Sequence, residues 1–284
     1  LYGDSARLIF GSELLKKIIL TGRQQMDLTF TLTAGWDSRI ILSCCKGITN
    51  KVSFHTMKYW KMTDKHKDIK IAKSLAKSLH LNFEIYDCQK GVSKDFAKIY
   101  QSNSDRAHTK WEEIAFGMSK TYPQKKIAVK GNCSEIGRCF YYPNSKMKFD
   151  FIPDDFFRSE PGWEKLNFIT EHITKWYEDL KKHRYNYNLY DLFYWEHRMG
   201  SWQAQSQLEW DIVQEVFSPF NSRELLDLML SIDSTKRKNS NPQLYRDAIS
   251  HLWEDTLKQP VNPLPFKEKL PLYKNKFRSQ IATF

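Results

Sequence analysis

The stretch Met26-Asp-Leu-Thr-Phe-Thr-Leu-Thr-Ala-Gly-Trp-Asp-Ser-Arg39 changes its period part-way along. As far as Thr33, apolar and polar residues alternate, the two-residue repeat of a half-buried strand. From Arg39 the run Arg-Ile-Ile-Leu-Ser-Cys-Cys45 is compatible with a helix, and it stops at Gly47, which reaches the left-handed cap conformation cheaply. Strand, small-residue turn and helix in that order predict a β-loop-α unit. Its turn would lie at the carboxyl end of a strand, where open parallel sheets bind ligands and a helix N-terminus offers unpaired N–H groups.

The neighbouring segments extend the pattern. Between Ser5 and Leu20, Leu8, Ile9, Leu14, Leu15, Ile18 and Ile19 recur at helical spacing. Lys51–Met57 reads as a second strand, and Asp64–Leu79 as a helix with an apolar stripe of Ile69, Ala72, Leu75, Ala76 and Leu79. Asn82–Asp87 is a third strand, Val92–Gln101 and Trp111–Lys120 are helical, and Lys126–Lys130 is a short fourth strand ending at Gly131. Strands separated by helices imply a parallel sheet with helices on its faces. Beyond Tyr142 only helical spacing remains, in Phe168–Leu180, Tyr190–Gln207, Ser222–Ser231 and Gln243–Leu257, so the second half is expected to be all-helical. The expected division is an α/β domain over residues 1–145 and a helical domain over 146–284, ending in an irregular Pro- and Lys-rich tail.

Composition bounds the function. The 284 residues are 41% hydrophobic and 27% charged, which is globular rather than disordered. No apolar run is long enough for a membrane span and no signal-peptide order opens the chain. Five cysteines without a paired spacing indicate neither a disulfide framework nor a zinc site and suit the reducing cytosol. The net charge of +11 favours an anionic partner. Because the chain opens at Leu1 without a methionine, a missing upstream part is expected.

The turn Leu32-Thr-Ala-Gly-Trp-Asp-Ser-Arg39 carries the chemistry. Ala34 and Gly35 allow the backbone close to an anion, Ser38 adds a hydroxyl, and the Asp37 carboxylate would hold magnesium against phosphates. The same turn can also be purely structural, with Asp37 capping the helix.

Thr33-Ala-Gly-Trp-Asp-Ser38 resembles the pyrophosphate-binding loop of the N-type ATP pyrophosphatases, and the chain as a whole resembles the synthetase domain of glutamine-dependent asparagine synthetase. Asp68 before Ala72, Ala76 and Leu79, the loop Gly131-Asn-Cys-Ser-Glu-Ile-Gly137, Arg198-Met-Gly-Ser-Trp202, Pro219-Phe-Asn-Ser-Arg-Glu-Leu-Leu226, Tyr245-Arg-Asp-Ala-Ile249 and Leu257-Lys-Gln-Pro260 follow in family order. The resemblance implies an adenine nucleotide α-hydrolase-like sheet and an ATP-dependent, AMP-forming amide ligase. A substrate carboxylate would be activated as an acyl-adenylate and captured by ammonia or an amine. It implies ATP and Mg²⁺ as cofactors, Asp37 and Glu135 as catalytic metal ligands, and a nucleotide-binding loop of Thr33, Ala34, Gly35, Trp36, Asp37 and Ser38 in which Thr33, Gly35 and Ser38 cradle the pyrophosphate. Leu32, Met57 and Gly131 would frame the adenosine.

Several positions depart from the family pattern. Ala34 stands at a glycine position, where its methyl would crowd a phosphate oxygen, so Ala34→Gly is expected to leave activity equal or higher. Cys133 occupies a second glycine position, a single Glu135 replaces an Asp-Glu pair, and Val261 stands where the family has a lysine. Lys258, Lys267 or Lys269 of the tail would take that lysine's part, with Lys267 as the catalytic candidate. No glutaminase domain is found in these residues, so ammonia would come from solution or from a separate or removed domain.

Other features point elsewhere or nowhere. Cys133 as a nucleophile lacks a His at a telling spacing, and the histidines form no metal pattern. The aromatic segment holding Trp195, Trp202 and Trp210 reads as helical core. Basic runs at Lys120–Lys130, Lys146–Lys148, Lys181–Arg184 and Lys236–Lys238 raise an RNA-modifying pyrophosphatase, but they are scattered and nucleic acid is not the expected partner. A degenerate nucleotide-binding module without turnover is the other alternative. The carboxylate's identity and the oligomeric state are left open.

Overall fold

The computed structural model describes residues 3–89, 91–106, 108, 110–141, 166–182, 187–238 and 242–263. Helix α1 (Asp4–Gln25) leads into β1 (Leu28–Thr31) and α2 (Trp36–Cys44), then β2 (Ser53–Lys58), α3 (Lys67–Ser78), β3 (Phe83–Asp87), α4 (Lys94–Asn103), α5 (Trp111–Thr121) and β4 (Ile127–Val129). A 3₁₀ turn, Ser134–Arg138, follows β4. The remainder comprises α6 (Asn167–Lys181), α7 (Leu189–Phe193), a π-helical stretch Tyr194–Gln203, α8 (Ala204–Trp210), β5 (Val216–Phe217), α9 (Arg223–Leu230) and α10 (Gln243–Trp253).

All five strands are parallel, in the order β3-β2-β1-β4-β5. From the central β1 the chain moves outward to β2 and β3, then crosses back to β4 on the other side, so the order reverses between β1 and β4. The strand alternation sorts side chains onto two faces. Leu28, Phe30, Phe54 and Val129 join Leu15, Ile40, Leu75, Leu226 and Tyr245 in one core. Met57 and Ala128 join Tyr100, Ile114, Met118 and Trp210 in a second core across the sheet. Helices therefore cover both faces, as parallel strands require.

The second half is not all-helical, because Val216–Phe217 extends the sheet beyond β4, with Ala128 N–H donating to Glu215 O (2.9 Å) and Lys130 N–H to Phe217 O (3.1 Å). Two residues are too few to show a period. Residues on either side of position 145 also share the first core, in which Leu225, Leu244 and Ile249 pack with Leu15 and Ile41. The expected domain boundary at 145/146 itself lies outside the described residues. Helix α2 starts at Trp36, three residues earlier than the apolar run, because Gly35 takes the N-cap position. No helix among the described residues is long and apolar enough to cross a membrane.

Candidate functional site

The reversal between β1 and β4 leaves their two carboxyl ends side by side, and the loops after them face one cleft, as expected for an open α/β sheet. A cavity of about 230 Å³ there is bordered by Thr33, Asp37, Ser38, Met57, Gly131 and Glu135, joined by Lys130, Asn132, Trp111 and Trp210. It adjoins a cavity of about 160 Å³ bordered by Thr56, Met57, Tyr59, Trp60 and Asp68. On its other side lies one of about 450 Å³ that shares Asn132, Gln203 and Gln207 with it.

The loop after β1 is closed on itself. Thr33 N–H donates to Ser38 Oγ at 3.1 Å, Gly35 N–H to Thr33 Oγ1 at 3.1 Å, and the two hydroxyls lie 3.0 Å apart. Ala34 N–H donates to Asp68 Oδ1 at 3.0 Å, so a carboxylate already sits against the loop backbone. From the far end of the chain, Asn262 N–H donates to Ala34 O at 2.9 Å. Beneath that strap lies Arg39, wholly buried, whose guanidinium donates to the carbonyls of Thr256 (2.6 Å), Gln259 (2.9 Å) and Pro260 (3.1 Å).

Asp37 does not cap α2. It sits one residue inside the helix and reaches across to the loop after β4, where Ser134 Oγ donates to its Oδ1 and Arg138 to its Oδ2 at 3.2 Å. Arg138 also lies 3.7 Å from Glu135 Oε1, so one guanidinium spans both carboxylates. Burial and the neighbouring Asp37 push the Glu135 carboxyl above its ordinary range, against the pull of Arg138. Its Oε2 is buried without a partner.

The close approach of the two loops depends on Gly131, where a Cβ would stand 2.7 Å from Asp37 Cβ and 2.8 Å from Asp37 C and O. Cys133 and Cys139 adopt left-handed backbone, with φ of 73° and 50°, a conformation that favours glycine. Burial and Glu135 push the Cys133 thiol up to about 11, so it is protonated near neutrality and unsuited to nucleophilic work.

Other predicted residues fall elsewhere. Leu32 and Ala34 are wholly buried in the core, Leu32 N–H donating to His55 O at 2.8 Å. The Ala34 methyl is part of that core rather than the cleft, and its φ is not positive, so the expected crowding of a phosphate by that methyl is corrected. Trp36 turns from the cleft to Tyr245, with ring centroids 6.4 Å apart, and to Arg246 at 5.4 Å. Lys258 pairs with Asp255 at 2.6 Å on the surface, while Lys267 and Lys269 lie outside the described residues.

Sequence reasoning missed Arg138, Lys130 and the aromatic wall. Arg138 stands three residues after Glu135, a spacing that brings the two to one side of a helical turn. Trp111 and Trp210 stack at 4.4 Å with an interplanar angle of 28° and border the cleft, so the aromatic segment is not core alone. The π-helical stretch supplies Gln203 to the cleft and Trp195, Met199 and Gly200 to the large neighbouring cavity, whose described lining has no charged side chain. π-Helical turns are frequently found at functional sites.

The donor set suits a hard divalent cation: two carboxylates meet at the cleft, and one of their oxygens has no partner. Asp37 and Glu135 would hold magnesium there. Among the described residues no group of three or more His, Cys, Asp or Glu could hold a metal ion, and phosphate oxygens or water would complete the coordination. Compared with known proteins, the chain matches no family model and no curated sequence.

Proposed function

We propose that the chain is an ATP-dependent, AMP-forming ligase that converts a carboxylate into an amide. The observation that carries this reading is the meeting of the loop after β1 with Asp37 and Glu135 at the point where the strand order reverses. The nucleotide would lie across the strand ends, its adenosine toward Met57 and Tyr59 and its phosphates toward Thr33, Ser38 and Gly131. Magnesium, when bound with the nucleotide, offsets the phosphate charge.

The chain's own groups would do the rest. Arg138 holds Asp37 and Glu135 in one orientation, and Ser134 fixes the other Asp37 oxygen. Entering phosphates would have to displace the Asp68 carboxylate from Ala34 N–H. A substrate carboxylate oxygen attacks the α-phosphorus as the bond to pyrophosphate breaks. Ammonia or an amine then attacks the acyl carbon, and AMP leaves. Stabilising the charge that develops on the leaving pyrophosphate is the main task of such a site. The body of the carboxylate substrate would occupy the neutral cavity beyond Gln203 and Gln207.

The test is calorimetric titration with a non-hydrolysable ATP analogue and magnesium, followed by assay of carboxylate-dependent AMP formation. Magnesium-dependent binding with AMP formation supports the ligase. Binding with no AMP from any of a broad set of carboxylates favours a nucleotide-binding module without turnover, a reading supported by the Asp68 carboxylate seated against the loop.

A further inference from the structure

Lys130, the residue that follows β4, is only 8% exposed, yet it borders the same cleft as Thr33, Ser38 and Gly131. Its ammonium lies over the Trp210 ring, 4.7 Å from the centroid. No carboxylate among the described residues forms a salt bridge with it. Asp37 and Glu135 across the cleft are both engaged by Arg138.

The surroundings oppose a cation. Burial pushes the Lys130 ammonium down to about 7, with Asp211 acting weakly the other way. Behind it on β2, His55 is held down to about 3 by burial and by Lys130 and Lys126. Lys126 itself is drawn off to Ser53 Oγ at 2.9 Å. A buried ammonium without a carboxylate is costly, and a bound anion would relieve that cost. The contact with Trp210 compensates only in part.

We propose that Lys130 is the cation that holds the pyrophosphate end of the nucleotide in this cleft. This rests on the nucleotide-ligase reading above. Lys130 would take the part of a charge-stabilising lysine from the middle of the sheet, with no need for one from the tail. It touches the phosphates directly and leaves the adenosine to the Met57 side of the cleft.

The full chain, K130M and K130R would each be titrated with magnesium pyrophosphate, with the ATP analogue and with AMP. K130M should weaken pyrophosphate and the analogue by roughly tenfold or more while AMP stays within about twofold, and K130R should keep pyrophosphate within about threefold. Pyrophosphate bound equally by K130M and the unmodified chain overturns the proposal and leaves the nucleotide reading standing, as does an equal loss for AMP. Failure of the unmodified chain to bind pyrophosphate or analogue overturns both.

Should K130M not fold, labelling of the unmodified chain with an amine-reactive reagent at neutral pH, read by peptide mass mapping, decides the matter. Magnesium pyrophosphate should shield Lys130. Equal labelling with and without it, or no labelling at all, overturns the proposal.

Discussion

The two loops that face each other across the cleft are built on opposite principles. After β1, the polar groups of Thr33, Ala34, Gly35 and Ser38 bond to one another or to Asp68 and Asn262. After β4, Glu135 Oε2 and Arg138 Nε are buried without partners, and two cysteines hold left-handed backbone. The first loop is a frame whose own hydrogen bonds are made, with one buried nitrogen, Arg39 Nε, unpartnered beneath it. The second stores unmet charge and strain, and this is where a ligand has most to offer.

The largest effect is expected where the two loops are joined. Asp37→Ala removes the one carboxylate that spans them, and magnesium-dependent binding of the ATP analogue should be lost, by more than about tenfold, in a chain that still folds. Unchanged calorimetric affinity would show that the bridge is structural and would sink the metal assignment.

Next in size is a pair of glycine substitutions. Gly131→Ala forces a methyl into Asp37 and should cost about 1–3 kcal/mol in denaturant unfolding. Gly35→Ala meets nothing nearer than Thr33 Oγ1 at 3.4 Å and should cost less than about 1 kcal/mol, as a change at a helix N-cap. Equal losses would erase the distinction between a closed frame and a crowded junction.

The unmet charges should also leave a signature in pH. Lys130 is lowered from 10.5 to about 7 in the folded chain, so between those values the unfolded chain binds more protons. Stability should therefore rise with pH across that window, and K130M should flatten the rise. Glu135 is raised on folding, so above its ordinary value of 4.5 the folded chain holds the extra proton. Its contribution should fall as pH rises from there, and Glu135→Gln should remove that fall. Thermal unfolding midpoints of the three chains across pH would show whether the slopes have these opposite signs.

The smallest effect lies in the frame itself. Ala34→Gly deletes a methyl buried in the core and gains no needed φ freedom, so it should cost about 1 kcal/mol and leave nucleotide affinity unchanged. A gain in affinity would mean that the methyl does meet the phosphates.

The same contrast explains what the sequence could show. The loop after β1 is local: its strand alternation, small residues and helix start lie within fourteen positions, and Thr33, Asp37 and Ser38 were all readable as cleft residues. Strands β1 to β4 were readable for the same reason, since each alternates with helices of ordinary length. The loop after β4 is completed from elsewhere. Tyr245 donates to Ser134 O from α10, Trp210 covers Lys130 from α8, and β5 flanks it with only two paired residues. Such contacts leave no periodic trace. Cysteine itself carries none of the conformational signal of glycine or asparagine, so the left-handed φ at Cys133 was hinted at only by its standing at a glycine position of the resembled family.

Arg39 gives the frame a place in time. Its three carbonyl partners lie 217 to 221 residues further along the chain, so they are made long after the turn between β1 and α2. While the chain is being synthesised, that guanidinium has no interior to enter, and it must stay in water until Thr256 to Pro260 arrive. The β1 loop is thus finished long after it is made. A chain stopped before Thr256 should leave α2 open to proteolysis at its first turn, whereas one reaching Asn262 should protect it.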